Sequence, residues 1–165
     1  MRASGRDRCE DYADKFGVPF YKDQKPWSVK VDIAMPCATQ NEIGIKEAKQ
    51  IIANGTKYYI EVANMPTTEE ALNYLSDMDG VIVAPSKAVN AGGVCVSGLE
   101  MSQNSQRLSW TAEEVDEKLH NAMINIHKHS VEAAEKYGLG YNLVAGANIA
   151  GFEKVAEAMM AQGIF

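Results

Sequence analysis

The chain has 165 residues, of which 46% are hydrophobic and 23% are charged, a length and composition typical of one globular domain with a sizeable core. Its formal net charge of −6 at pH 7 argues against nucleic acid and anionic membrane surfaces as partners, because both bind basic patches. The three cysteines have no CxxC spacing, which supports neither a disulfide framework nor a zinc site. The N-terminal stretch has no apolar signal segment and no apolar run is long enough to cross a membrane, so we expect a cytoplasmic protein.

The first predicted element is a polar helix over residues 4–16, with a narrow apolar face of Tyr12, Ala13 and Phe16. A Pro- and Lys-containing connection follows over residues 18–28. A parallel α/β chain ordinarily starts with a strand, so this opening looks like an entry part-way through a fold.

Three short apolar runs then predict strands, at residues 31–38, 58–64 and 81–85. Between them, apolar residues at helical spacing predict a helix over 42–54, and Thr67 with Glu70 forms a capping-box pattern for a second helix. Strands that alternate with helices predict a parallel βαβαβ sheet.

Only helices are predicted after Gly93. The first covers residues 94–108, and a second capping box, Thr111 with Glu114, opens a helix that reaches Lys136. The last helix runs from Ile149 to Gln162, and its methionines Met159 and Met160 are expected in the core.

Polar material follows each predicted strand, in PCATQNE (36–42), ANMPTT (63–68) and APSKAVNAGG (84–93). Parallel strands bring these segments to one edge, where open α/β sheets bind ligands. The side chains of interest there are Thr39, Gln40, Asn64 and Asn90. An ordinary turn is the alternative role of each segment.

Other motifs are weak. No GxGxxG follows a strand, and the glycines of GLGYN and GANIAG suit helix packing or capping. Cys37 is more easily explained as a small apolar residue than as a nucleophile. His120, His127 and His129 share one helix in poor chelating geometry. Lys87 either holds a carboxylate or phosphate or is a surface lysine.

The segments PCATQNE, ANMPTT, APSKAVNAGGVCVSGLEMSQNSQRLSWT and NLVAGANIAGFEKVAEAMMAQG together closely resemble the hexameric glutamate dehydrogenases, particularly the bacterial small-subunit type. The resemblance implies an α/β fold, a partial Rossmann-like parallel sheet followed by C-terminal helices. It further implies that residues 1–92 are the second half of a nucleotide-binding domain, and that residues 93–165 return towards an N-terminal substrate domain. The activity implied is reversible oxidative deamination of L-glutamate to 2-oxoglutarate and ammonia, with NAD or NADP as cofactor, in a homohexamer.

Residue by residue, the resemblance places Asn90, Val94 and Ser97 against the substrate, with the Ser97 hydroxyl donating to the distal carboxylate. It places Ala38, Thr39, Gln40 and Asn64 beside the cofactor, with Asn90 near the nicotinamide. The family's catalytic lysines and aspartate have no counterpart here, so we expect no turnover from the chain alone. A non-catalytic nucleotide-binding or assembly module is the alternative. Another amino-acid or hydroxy-acid dehydrogenase is a third, which Ser97 argues against because it suits a charged side chain.

Overall fold

Three parallel strands form one sheet in the computed structural model, which describes residues 8–163. The sheet order is β1 (Ile33–Ala34), β2 (Tyr58–Ile60) and β3 (Ile82–Ala84), and the central Tyr59 aligns with Ala34 on one side and Val83 on the other. The predicted parallel βαβαβ arrangement is therefore confirmed. The predicted strands were too long, because the amides of Val62 and Ala63 both turn to the Pro36 carbonyl and sheet pairing ends there.

The two crossover helices are α2 (Ile45–Ala53) and α3 (Glu69–Ser76). Their apolar faces and the sheet together form the core, whose members are nearly all without solvent exposure: Ile43, Ala48, Ile51, Tyr59, Ala71 and Leu75. Trp27, in a short 3-10 helix over Pro26–Ser28, packs on the same core. The buried residues of both helices lie on the apolar faces that helical spacing predicts, although three other members of those faces are only half-buried: Ile45, Ile52 and Leu72.

The capping box predicted at Thr67 is wrong. Thr68 is the residue that precedes α3, whereas Thr67 is buried and its hydroxyl lies 2.6 Å from the hydroxyl of Tyr59. A buried hydroxyl needs a hydrogen-bond partner within the protein, whereas the free amides of a helix end on the surface can bond to water. The Thr67 hydroxyl therefore pairs with Tyr59 of β2 and does not cap the helix.

Replacing Tyr59 by phenylalanine should lower the free energy of unfolding by about 1–3 kcal/mol, because the buried Thr67 hydroxyl then loses its partner. Urea unfolding measures this, and Tyr58→Phe is the matched control because Tyr58 is exposed on the same strand. Equal stability of the two variants would contradict the prediction.

The same pair gives the stability a pH dependence. Burial raises the pKa of the Tyr59 hydroxyl, and the carboxylates of Glu61 and Glu42 add to this against the opposing hydrogen bond with Thr67. Above about pH 10 the tyrosines of the unfolded chain ionise while Tyr59 of the folded chain stays protonated. This ionisation stabilises the unfolded state, so the free energy of unfolding falls as the pH rises. Tyr59→Phe should lose less stability between neutral and alkaline pH than Tyr58→Phe does.

The chain after β3 is helical, as α4 (Ser86–Val89), α5 (Ala91–Gln106), α6 (Ala112–Lys136) and α7 (Leu143–Gln162). The segment 84–93, for which a ligand-facing role and an ordinary turn were the two interpretations, is thus mostly helix. The capping box at Thr111 is confirmed, since its hydroxyl accepts from the Glu114 amide and the Glu114 carboxylate accepts from the Thr111 amide. Helix α7 begins well before the predicted Ile149, because the Asn142 side chain caps it by accepting from the Ala145 amide.

Helices α6 and α7 pack closely through Gly146, where an added Cβ would lie 1.9 Å from the carbonyl oxygen of Ser130. This glycine, in the GANIAG motif, is therefore a packing glycine, as the sequence suggested. Lys136 on α6 and Glu153 on α7 form an ion pair at 2.5 Å, which lowers the pKa of the Glu153 carboxyl chiefly through the hydrogen bond from Lys136. Between α5 and α6, the Trp110 amide donates to Gln103, and the Lys118 ammonium lies 4.9 Å from the centre of the Trp110 ring.

The far half of α7 does not join the core, which corrects the expectation for its methionines. Met159 and Met160 are exposed, and so are Phe152 and Val155. The buried residues of α7 lie in its first turns, at Leu143 and Gly146, and further along the helix Glu153 makes polar contacts with the end of α6.

The first helix, α1 (Cys9–Phe16), buries only Ala13, while Tyr12 and Phe16 are exposed. The part of the predicted 4–16 helix before residue 8 lies outside the described residues. Across residues 8–163, no helix is both long enough and apolar enough to cross a membrane.

Candidate functional site at the carboxyl edge of the sheet

The segments that follow β1 and β2 are held together by backbone hydrogen bonds at the carboxyl edge of the sheet. The Asn41 amide donates to the Met65 carbonyl at 2.9 Å, and the Ile43 amide donates to the Pro66 carbonyl at the same distance. These bonds bring the loop of Ala38, Thr39 and Gln40, all exposed, beside the loop that carries Asn64.

Two residues of these loops have left-handed backbone conformations, Asn41 with φ of 55° and Met65 with φ of 46°. Asparagine adopts this conformation readily, but a bulky methionine does so only where its surroundings require it. Met65 directly follows Asn64 and precedes Pro66, so the backbone is constrained on the C-terminal side of a predicted site residue.

Asn64 and Asn90 come together, although they are far apart in the sequence. The Nδ2 amide of Asn90 donates to Oδ1 of Asn64 at 2.6 Å. This bond leaves Nδ2 of Asn64 as a donor and Oδ1 of Asn90 as an acceptor for other groups. We call these two residues the asparagine pair; it joins the loop after β2 to the start of α5.

Asn90, Val94 and Ser97 share one face of helix α5. Asn90 is the residue before the helix, and spacings of four and three residues place successive side chains on the same side. Val94 is 78% exposed, and the exposed Ser97 hydroxyl donates to the Gly93 carbonyl at 3.1 Å. The opposite face packs on α6, where Gly92 fits against Leu119 and Met123. This packing leaves an apolar side chain and a hydroxyl facing outwards beside the asparagine pair.

The remaining sequence candidates have simple roles. The exposed Lys87 ammonium donates to the side-chain oxygen of Asn148 on α7. Cys37 is exposed, with its sulfur 3.2 Å from the Met35 carbonyl oxygen. All three histidines are exposed, His127 pairs with the Tyr141 hydroxyl at 2.7 Å, and no cluster of potential metal ligands occurs within residues 8–163.

An apolar cavity of about 100 Å³ lies beneath α4, lined by residues that include Ala88, Val89, Met123 and Leu143. None of the predicted site residues lines it, and its walls are almost entirely apolar. A site for a phosphorylated cofactor needs charged or polar donors, so the polar edge of the sheet is the better candidate.

Sequence reasoning missed Glu61. This carboxylate stands at the end of β2 with only 2% of its surface exposed, and its Oε2 accepts from the Ser86 amide at 3.0 Å. The signal available in the sequence was a single acidic residue inside the otherwise apolar run YYIEV, since a charge is rarely buried without a specific partner.

Comparison with known proteins gives one family. The model for the glutamate/leucine/phenylalanine/valine dehydrogenases matches residues 1–163. The NAD-specific glutamate dehydrogenase of Clostridium symbiosum is 70% identical over 164 residues, which are 99% of this chain and 36% of that protein. The NADP-specific glutamate dehydrogenase of Escherichia coli (strain K12) is 55% identical, with the same two shares.

A solved glutamate dehydrogenase structure that is 70% identical superimposes with a TM-score of 0.95, over 99% of this chain and 36% of that one. The chain thus spans about a third of the length of these relatives. The family match over nearly every residue shows that the chain belongs to the glutamate/leucine/phenylalanine/valine dehydrogenases.

Proposed function

We propose that this chain forms one wall of the active site of a glutamate dehydrogenase, which oxidatively deaminates L-glutamate to 2-oxoglutarate and ammonia with hydride transfer to NAD or NADP. The observation that supports this most directly is the outward face of α5. It presents Asn90, Val94 and Ser97 in line, next to Asn64 at the ligand-binding edge of a parallel sheet.

The α5 face suits glutamate. The exposed Val94 offers an apolar wall for the methylene groups, and the Ser97 hydroxyl donates to the distal carboxylate. In the structure this hydroxyl donates to the Gly93 carbonyl, and a carboxylate competes well for the same hydrogen because an ionised acceptor forms the stronger bond. Asn90 stands at the reacting end of the substrate.

The loops after β1 and β2 suit the nicotinamide end of the cofactor. The free donor of Asn64 and the free acceptor of Asn90 fit a ribose hydroxyl and an amide, while Ala38, Thr39 and Gln40 line the neighbouring loop. When bound, the nicotinamide ring supplies the hydride acceptor. The side chains of this edge bind and orient, and the proposal assigns no catalytic acid or base to the chain.

The proposal includes the division and assembly implied by the family resemblance. Residues 1–92 belong to a nucleotide-binding domain and residues 93–165 form a helical segment that leads towards a substrate domain. The exposed side chains of Phe152, Val155 and Met160 on α7 are consistent with further packing partners for this segment. The complete protein is a homohexamer in the cytoplasm.

The chain alone should show no glutamate-dependent reduction of NAD or NADP, because it supplies only one wall of the cleft and no positioned acid or base. The N-terminal part of the Clostridium symbiosum enzyme, joined to this chain at the point where the match begins, should restore activity. Absorbance of the reduced cofactor measures both rates.

A robust rate from the chain alone would contradict the first expectation. An assembled chimera that binds NAD in calorimetry without oxidising glutamate would contradict the proposed activity, and would favour a non-catalytic nucleotide-binding module. The same chimera with Asn90→Ala is the control, and its turnover should be lower if the measured activity depends on this wall of the active site.

A further inference from the structure

Resting on the proposed function, we infer that Glu61 is a positioning residue, which sets the distance between the two asparagines of the asparagine pair by holding the start of α4. With only 2% of its surface exposed, it does not line the proposed site. Its effect passes through the four-residue helix Ser86–Val89 to Asn90.

The carboxylate of Glu61 replaces a missing helix cap. The residue before α4 is Pro85, which has no side chain able to accept a hydrogen bond. The first amides of a helix have no partner inside it, and the Ser86 amide finds one in Oε2 of Glu61 at 3.0 Å. A buried carboxylate in turn needs a donor to offset its lost hydration, so the two groups satisfy each other.

The Glu61–Ser86 bond closes a ring with the asparagine pair. Along one side the chain runs from Glu61 to Asn64, and along the other it runs from Ser86 to Asn90. Asn90 and Asn64 are hydrogen-bonded at the far end. The relative placement of the two asparagines therefore depends on the Glu61 contact at the near end.

The two sides of this ring are not equally secured. On the Glu61 side, the amides of Glu61, Val62 and Ala63 all donate to carbonyls of the neighbouring strand ends, Ala84 and Pro36. On the other side, α4 is a single turn, whose later amides donate only to Pro85 and Ser86 within the same segment. Lys87 adds a flexible contact to Asn148. Among the hydrogen bonds of α4, the one from the Ser86 amide is thus the one that reaches the end of β2, while Ala88 and Val89 lie beside Met123 of α6 around the apolar cavity.

The test uses the chimera described above, with Glu61→Gln, Glu61→Asp and Glu61→Ala. Glutamine keeps an oxygen that can accept from Ser86, whereas aspartate keeps the charge but is one methylene too short. We expect kcat to fall about tenfold in Glu61→Ala and Glu61→Asp, the cost of a misplaced orienting group, and to recover to within about threefold of wild type in Glu61→Gln. KM for glutamate should change less than kcat.

Hydrogen exchange of the peptide that covers residues 86–90 gives a reading that does not depend on activity. It should accelerate in Glu61→Asp and Glu61→Ala, while peptides of α6 keep their wild-type rates. Glu117→Ala, at an exposed glutamate of α6, is the control and should match wild type in both measurements.

The inference would be overturned if kcat of Glu61→Gln were no higher than that of Glu61→Asp, or if kcat were unchanged in all three variants. Unchanged exchange over residues 86–90 in Glu61→Asp and Glu61→Ala would overturn it as well. If Glu61→Ala fails to fold, the order of glutamine and aspartate decides. A wild-type chimera that does not oxidise glutamate would overturn the proposed function instead, and the exchange measurement would still test Glu61.

Discussion

Gly146→Ala should lower the free energy of unfolding by about 3 kcal/mol, the upper range for inserting a methyl group into a tightly packed contact. The new Cβ would lie 1.9 Å from the Ser130 carbonyl oxygen and 2.8 Å from the carbonyl carbon. Both are backbone atoms of α6, so no side chain can rotate away, and α7 must move off α6 as a whole. Urea unfolding followed by circular dichroism measures the loss.

Gly151→Ala is the matched control for this substitution. It lies on the same helix, and nothing stands within 4 Å of its added Cβ. Alanine there should stabilise the chain by up to about 1 kcal/mol, because it is the better helix former. Similar stabilities of the two variants would show that the α6–α7 contact is looser than the structure has it.

Ser97→Ala in the chimera should lower kcat/KM for glutamate about 10- to 100-fold, since a hydrogen bond to an ionised group contributes about 1.5–3 kcal/mol. An amino acid of similar length without the distal carboxylate, such as norvaline, makes no use of this hydroxyl. Its kcat/KM should stay nearly unchanged. The ratio of the two values isolates the contact with the distal carboxylate from any general loss of activity.

Ser102→Ala controls for the loss of a helix serine. Its hydroxyl makes the same kind of bond as Ser97, to the carbonyl four residues earlier, at 2.9 Å, but it lies about 140° further round the helix. It should leave both substrates unaffected. If Ser97→Ala weakened glutamate and norvaline equally, or neither, the assigned role of Ser97 would be wrong.

The fold could be predicted from the sequence wherever local pattern and tertiary packing agree. Apolar spacing identified Ala48, Ile51, Ala71 and Leu75 as buried, and the capping box at Thr111 is present because α6 begins on the surface, where only local bonds compete. Thr67 failed for the opposite reason. Its hydroxyl faces Tyr59 of β2, and a tertiary partner of that kind leaves no trace in the spacing of Thr67 and Glu70.

The location of the candidate site could be predicted from the sequence, but the contacts between its side chains could not. Strand ends located Asn64 and Asn90 at one edge, since parallel strands require it, and the structure brings their side chains into contact. The packing of Gly92, whose lack of a side chain lets α5 approach Leu119 and Met123, could not be predicted because both partners lie on a later helix. Glu61 was missed because its partner is a backbone amide, which every residue type but proline carries.

The chain contains two tryptophans, and their positions give it two built-in optical reporters. Trp27 is buried against the sheet, whereas Trp110 lies at the junction of α5 and α6 under the Lys118 ammonium. Single-tryptophan versions would therefore report separately on residues 1–92 and 93–165. Coincident fluorescence transitions would mean that both segments unfold as one cooperative unit. Separated transitions would support the proposed division near residue 92, because the two segments would then unfold independently.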